Sequence, residues 1–467
     1  MPSSSLHPLS RPNVLFILSD DQGPWAAGCY GNPEIRTPNL DRLAREGVLF
    51  RNFFVATPVC SPSRATILTG RIPSQHGIHD WLYSGPSEPN RPNFNVGPDA
   101  RQLLAGEVAY TDIMAAHGYH CGISGKWHLG DSLHPQHSFD FWFVHQRGGG
   151  PYNNAPMVRD GQLVHVPGYV TDVITDEALG FLDRHRAERP DQPFYLSVHY
   201  TAPHSPWVGH PQQLVDSYAD CPFESCPQES RHPWAGSLTD EHLGNRASLQ
   251  GYFAAVTAMD QNIGRLLDWL ETHDLRRRTL VVFMSDNGFS CGHHGFWGKG
   301  NGTSPRNMYE NSIKVPFLAS QPGTLPQGLV TEAMASAYDF LPTLLDYLEL
   351  PLPTQQNLPG QSFLPILRGD ASAGDGGRDE VVIFDEYGPV RMIRTREWKY
   401  VYRHPDGPHD LFDLVNDPDE RHNLAEEPGQ QRRIRELHAQ LEAWFARYVL
   451  PEHDGLRARL DVGSGAW

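Results

Sequence analysis

Four short apolar runs in this sequence each stop at groups able to bind a metal or move a proton. After "NVLFILS" stand Asp20 and Asp21, and after "TLVVFMS" stand Asp286 and Asn287. After "HCGIS" come Lys126 and His128, and after "FYLSVHY" come Thr201, Pro203 and His204. Taken singly, each is ordinary. Acidic residues are mostly solvated, and "SDNG" is a good turn sequence. Taken together they are not, because independent turns have no reason all to carry ligand-type side chains. Three carboxylates and an amide oxygen make a hard-oxygen site that suits Ca²⁺, with Mg²⁺ as the alternative, and not a soft metal. Three negative charges exceed the two of a divalent ion, so cations are expected nearby, with Arg64, Lys126, His128, His204 and Lys299 as candidates.

A second signal is the thiol in "PVCSPSRATILTGR". Pro62 suits the first turn of a helix, where its missing N–H costs nothing. That puts Cys60 just ahead of the helix, facing free backbone N–H groups that favour negative charge. Arg64 follows about one turn later on the same face. Two readings stand: a small core residue, or a nucleophile whose thiol pKa is lowered by its surroundings.

The runs that deliver these groups are unalternating, as in strands buried on both faces. Helical segments separate them. "TPNLDRLAREGVLF" predicts a helix from Pro38, with Thr37 as N-cap and an end near Gly47. "YTDIMAAHG", "VITDEALGFLDRHR" and "SLQGYFAAVTAMDQNIGRLLDWLETH" predict further helices. This alternation predicts an α/β fold, a large, mainly parallel mixed sheet sandwiched by helices. Ligands collect at the carboxyl ends of the strands in such sheets. Around Leu350–Glu380 the chain turns rich in proline, glycine and charge, as linkers are. "VVIFDEYGPVRMIRTREWKYVYR" then predicts antiparallel strands and "QQRRIRELHAQLEAWFARYV" a closing helix. The expected organisation is a catalytic domain over 1–365 and a small C-terminal α+β domain over 378–467.

With 39% hydrophobic and 20% charged residues among 467, the chain is an ordinary globular one, long enough to bury a sizeable core. A net charge of −17 argues against nucleic acid or an anionic membrane as partner, yet leaves room for a small anionic substrate in a local basic funnel. Six cysteines without a CxxC pair make neither a disulfide framework nor a thiolate zinc site. Cys221 and Cys226 in "CPFESC" are either a local pair or two free thiols. The apolar run "VLFIL" is too short for a leader, and aspartates follow it. The chain therefore reads as soluble and cytoplasmic, or periplasmic or secreted if a leader has been trimmed.

"CSPSRATILTGR" fits C-x-P-S-R-x-x-x-x-T-G-R, the signature of type I sulfatases, and the chain resembles that family well beyond it. "NVLFILSDDQG", "GKWHLG", "APHSPW", "SDNG", "GKG" and "DLFDLVNDPDERHNLA" look like further family blocks in family order, from about Asn13 to the closing helix. The resemblance implies an alkaline-phosphatase-like core and oxidation of Cys60 to formylglycine by a transiently bound formylglycine-generating enzyme. The aldehyde hydrate is then the nucleophile. By the same resemblance Asp20, Asp21, Asp286 and Asn287 are metal ligands, usually of calcium, which formylglycine at Cys60 also reaches. Arg64 and Lys126 hold and polarise the hydrate. His128 is the base that expels sulfate, and His204 and Lys299 grip the sulfate and protonate or stabilise the leaving oxygen. The chemistry calls for these types: a charged ester must be neutralised before a nucleophile approaches, and a poor leaving alkoxide must be met by an acid.

One departure stands out. After "GKG" the family often moves almost directly to "YEGG", whereas here "NGTSPRN" precedes "MYENSIKVP". Lys314 is accordingly the reserve for Lys299, and Arg306 and Asn307 are expected to shape the substrate pocket. The expected activity is hydrolysis of a sulfate monoester, with a lean towards a sulfated carbohydrate. Tryptophan faces in "HGIHDWLYSGPSEPNRPNFN" and "HHGFWGKGNGTSPRN" could stack on a sugar; a small aryl or choline-type sulfate is the other substrate class. Rival readings are a phosphonate monoester or phosphodiester hydrolase of the same fold, and a non-catalytic metal-pocket binding protein.

Overall fold

The computed structural model describes residues 11–82, 93–354, 357–370, 377–383 and 389–457. Residues 83–92, and parts of the linker-like region Leu350–Glu380, lie outside the described residues. In chain order the strands are β1 (Asn13–Ser19), β2 (Val48–Phe54), β3 (His120–Gly125), β4 (Phe141–His145), β5 (Pro156–Arg159), β6 (Gln162–His165), β7 (Phe194–His199) and β8 (Thr279–Ser285). They continue with β9 (Ser290–Cys291), β10 (Trp297–Gly298), β11 (Lys314–Ser320), β12 (Leu329–Ser336), β13 (Glu380–Ile383), β14 (Val390–Thr395), β15 (Trp398–Arg403) and β16 (Asp410–Asp413).

Ten of these form one mixed sheet in the order β12-β2-β11-β8-β1-β7-β3-β4-β5-β6. Its middle, from β8 through β1, β7 and β3 to β4, is parallel throughout. The strands that precede the aspartates, Lys126 and His204 therefore end on the same edge. β1 is wholly buried, and its side chains divide by parity. Val14, Phe16 and Leu18 enter one hydrophobic cluster, and Leu15 and Ile17 enter the other. At about 1.5–3 kcal/mol for each large apolar side chain, two-sided burial explains the unalternating pattern.

The helices lie on both faces. Pro38–Arg45 (α1), Val170–Glu188 and Arg246–Thr272 supply the second cluster; Cys60–Thr69 (α2), Tyr110–Ala116 and Phe340–Tyr347 supply the first. Thr37 does not cap α1 with its side chain, contrary to expectation. Its hydroxyl accepts instead from the Gly28 N–H at 2.8 Å. The cap comes from the long helix: the Asp260 carboxylate accepts from the N–H of Leu40 at 2.8 Å and of Asn39 at 3.1 Å.

β13–β16 make the expected small antiparallel sheet, followed by the helix Gln431–Tyr448. Its apolar residues, among them Val382, Met392 and Tyr400, belong to the same cluster as Val14 and Phe16. A buried ion network adds to the join. Lys399 Nζ lies 2.8 Å from Glu310 and 2.5 Å from Glu420, and Arg394 lies 3.3 Å from Glu310. All six cysteines are free thiols, so Cys221 and Cys226 do not pair. Among the described residues no helix is long and apolar enough to cross a membrane.

Candidate active site

The four strand ends converge. Carboxylate oxygens of Asp20, Asp21 and Asp286 all lie within 4.8 Å of one another, and all three residues are buried. Asp21 holds a left-handed backbone at φ 66° and His128 one at 58°. Such conformations cost energy in residues other than glycine and gather at functional sites. Gly125 makes the turn that delivers Lys126. Its φ is 117°, and a Cβ there would stand 1.9 Å from the His199 carbonyl oxygen. That same oxygen accepts the Lys126 N–H at 2.7 Å.

Each aspartate has a cation. Lys126 Nζ donates to Asp20 at 2.5 Å, Arg64 Nε to Asp286 at 2.8 Å, and Lys299 Nζ to Asp21 at 2.5 Å. Asn287 Nδ2 also donates to Asp21 at 2.6 Å, while its Oδ1 is buried without a hydrogen-bond partner. Clustered carboxylates plus an unpartnered amide oxygen are a hard donor set, and they fit an oxygen-ligated divalent cation. Burial works against a charged Asp20, but Lys126, His204, Arg64 and Lys299 outweigh it and hold its carboxyl well below the usual range. Burial and the Asp20 charge push Asp286 up to about 6.

Cys60 opens α2 as its first residue and lies 3% exposed. Its Sγ is 3.6 Å from Asp20 and 2.9 Å from Lys299 Nζ. The thiol pKa is not lowered, as the helix-start reading had it. Burial pushes it up to about 11, Asp20 and Asp286 add to the rise, and Lys126 and Lys299 only partly offset it. An unmodified thiol here is a poor nucleophile at neutral pH.

His128 Nε2 lies 3.0 Å from the Leu82 carbonyl oxygen, so it carries the hydrogen. Nδ1 is left as a buried lone pair without a partner. Burial, aided by Lys126, keeps this imidazole neutral by lowering its pKa well below the ordinary value. His204 Nδ1 donates to the Ser205 carbonyl at 2.8 Å, and its Nε2 faces Asp21 at 3.8 Å. Lys299 stays charged. Burial disfavours that, but Asp21, Cys60, Asp20 and Asp286 raise its pKa well above the ordinary value.

Lys299 rather than the reserve Lys314 occupies the site. Lys314 pairs with Glu310 at 3.8 Å and lies against Phe54, lining a separate cavity. The inserted loop lines the pocket through its first residue, Asn301, and not through Arg306 and Asn307. Asn307 is buried behind it, donating to the Lys299 carbonyl at 2.9 Å, and the Arg306 carbonyl accepts from Arg403 at 3.0 Å. Trp297, expected as a stacking face, is wholly buried.

A cavity of about 410 Å³ opens over Cys60, walled by Trp81, Trp207, Phe289, His128, His204 and Asn301. It also reaches Arg147 and the run Gly148–Gly150, a wall that the sequence reading missed. A Cβ on Gly148 would lie 2.1 Å from the His128 ring, and one on Gly149 would lie 3.3 Å from that of His204. The triple glycine in "HQRGGGP", directly after an apolar run, was the available signal.

A sulfatase family model matches residues 12–350, and a model of the C-terminal part of N-sulphoglucosamine sulphohydrolase matches residues 292–447. This chain belongs to the sulfatase family. An N-acetylglucosamine-6-O-sulfatase of Bacteroides thetaiotaomicron is 26% identical over 94% of this chain and 87% of its own length. An ulvan-active sulfatase of Formosa agariphila is 30% identical over 94% of this chain and 81% of its own. In fold, this sulfatase matches a structure solved with its substrate D-glucosamine-2-N,6-O-disulfate, with TM-score 0.78 at 24% identity, covering 96% of this chain and 100% of that one. The alkaline-phosphatase-like α/β architecture read from the sequence is thus present, and the sulfatase is a hydrolase of sulfuric esters.

Proposed function

We propose that this sulfatase cleaves the sulfate monoester of a carbohydrate through a formylglycine hydrate at Cys60, beside an oxygen-ligated Ca²⁺. The observation that carries the reading is the position of Cys60. It is a buried, high-pKa thiol touching Asp20 and Lys299 at the floor of a cavity with aromatic walls. As a thiol it is inert; as an aldehyde hydrate it places a hydroxyl among three cations.

Asp20, Asp21, Asp286 and Asn287 would hold the metal, which when bound neutralises the ester's charge as a Lewis acid. Arg64 and Lys126 orient the hydrate. One hydroxyl oxygen attacks sulfur as its proton passes to the Asp20 carboxylate that the Cys60 side chain faces, and the bond between sulfur and the sugar oxygen breaks. The departing oxygen is charge-stabilised by Lys299 and takes a proton from Nε2 of His204 in its doubly protonated form, which Asp21 and Asp20 favour against the opposing effect of burial. His128 Nδ1 then accepts the proton of the second hydroxyl. That oxygen's electrons reform the C=O, the carbon–oxygen bond to sulfate breaks, and sulfate leaves. Water rehydrates the aldehyde.

The carbohydrate reading draws on the half-buried Trp81 in the wall, on the named relatives, and on the shape of the cleft. A second cavity of about 280 Å³ shares Leu238, Gly298 and Asn301 with the main one. Mass spectrometry of the Cys60 peptide, from a host that matures sulfatases, tests the nucleophile: fully active enzyme with wholly unmodified thiol would end the reading. Elemental analysis should find stoichiometric calcium that Asp286→Ala loses. Rates on matched sulfate and phosphonate esters should favour sulfate.

A further inference from the structure

We infer that Arg147 is a specificity residue for a second anionic group on the substrate, a carboxylate or another sulfate; the inference rests on the carbohydrate sulfatase reading. Arg147 lines the same cavity as Cys60, His128 and His204. It is placed by its own loop. The ring nitrogen Nδ1 of buried His145, the last residue of β4, is 3.1 Å from its backbone nitrogen and 2.9 Å from its carbonyl oxygen. Gly148 and Gly149, just after it, press the backbone onto His128 and His204.

Charge makes the case. The carboxylates of Asp20, Asp21 and Asp286 are matched one to one by Lys126, Lys299 and Arg64. Among the described residues Arg147 has no carboxylate partner, and its Nε is buried with no hydrogen bond. It is a positive charge over and above the set that the cleaved sulfate already meets at Cys60. A guanidinium facing a partly closed cavity without a counter-ion is costly, and a planar two-oxygen anion satisfies it in bidentate fashion. A choline-type sulfate would instead bring a cation to this guanidinium.

The test compares kcat/KM on matched pairs that differ by one anion. N-acetylglucosamine 6-sulfate pairs with glucosamine 2-N,6-O-disulfate, a hexose sulfate with the corresponding uronate sulfate, and 4-nitrophenyl sulfate with a ring-carboxylated analogue. Wild-type enzyme should prefer the doubly anionic member of a pair. Arg147→Gln should lower that preference on the order of ten- to a hundredfold, the usual weight of a hydrogen bond to a charged group, mainly through KM. Arg147→Lys should keep part of it. Whether the N-sulfate or the carboxylate arm collapses identifies the anion. If both variants leave the preference unmoved in every pair, or if Arg147→Gln loses all substrates equally and Arg147→Lys restores nothing, the inference is overturned. If wild type turns over only the aryl pair, the carbohydrate reading fails, while that pair still reads Arg147.

Discussion

Lys299 Nζ stands 2.9 Å from the Cys60 sulfur, and Asn307 holds the Lys299 carbonyl from behind at 2.9 Å. The extra residues after "GKG" therefore lengthen the loop without withdrawing the lysine. Removing one preorganised charge partner of a reacting oxygen typically slows turnover about 10²–10³-fold. Lys299→Ala should lose that much in steady-state assays with an aryl sulfate, and Lys314→Ala should stay near wild type. Asn307→Ala, which keeps the lysine but loosens its loop, should fall between. A larger loss for Lys314→Ala than for Lys299→Ala would reverse the assignment.

Gly148 tests the backbone clamp. A Cβ there would sit 2.1–2.5 Å from three atoms of the His128 ring, and no rotation of the alanine methyl relieves that. Gly148→Ala should break the bond from His128 to the Leu82 carbonyl. A displacement near 1 Å can cost about a hundredfold in kcat. Gly149→Ala should be milder, since its 3.3 Å approach to His204 asks for a small shift. Circular dichroism should show both variants folded.

His204 and His128 should separate kinetically. Acid help is worth about 10²–10⁴-fold and matters most for a basic leaving group. His204→Ala should therefore damage a sugar sulfate far more than an activated aryl sulfate. His128→Ala should permit a first turnover and then stall with sulfate bound to the enzyme. Single-turnover kinetics on both substrates reads the difference. Equal losses for His204→Ala would pass the acid role to Lys299.

Asp260 predicts a pH effect on stability. Burial, with a lesser push from Asp41, raises its carboxyl from 3.8 to about 6 against the pull of the N–H groups it caps. Between those values the folded state keeps a proton that the unfolded state has lost. This group's contribution thus falls as pH rises through that window and is lowest above it. Asp260→Asn loses part of the cap, about 1 kcal/mol, but does not titrate. Its deficit against wild type should shrink between pH 4 and 6.5 in urea unfolding. A constant deficit would show that Asp260 keeps an ordinary pKa.

The sequence by itself determined the sheet, the family and the residue types at the site. Two-sided burial of β1, β7, β8 and β3 leaves apolar runs that need no structure to see, and a strand's end tells which residues reach the ligand edge. The segment around Cys60 was equally legible, because its spacing is set within one helix. Tertiary structure decided what depends on groups far apart in the chain. Asp260 caps α1 from 220 residues away, where local pattern offered Thr37. The Cys60 thiol is raised because the whole fold buries it beside Asp20 and Asp286, which no helix-start argument contains. Lys299 was chosen over Lys314 by the packing of Asn307, and the wall Arg147–Gly150 emerged only when β4 was set beside β3. Spacing encodes periodic burial along one element; charge, desolvation and close contact between elements are sums over neighbours that the fold alone supplies.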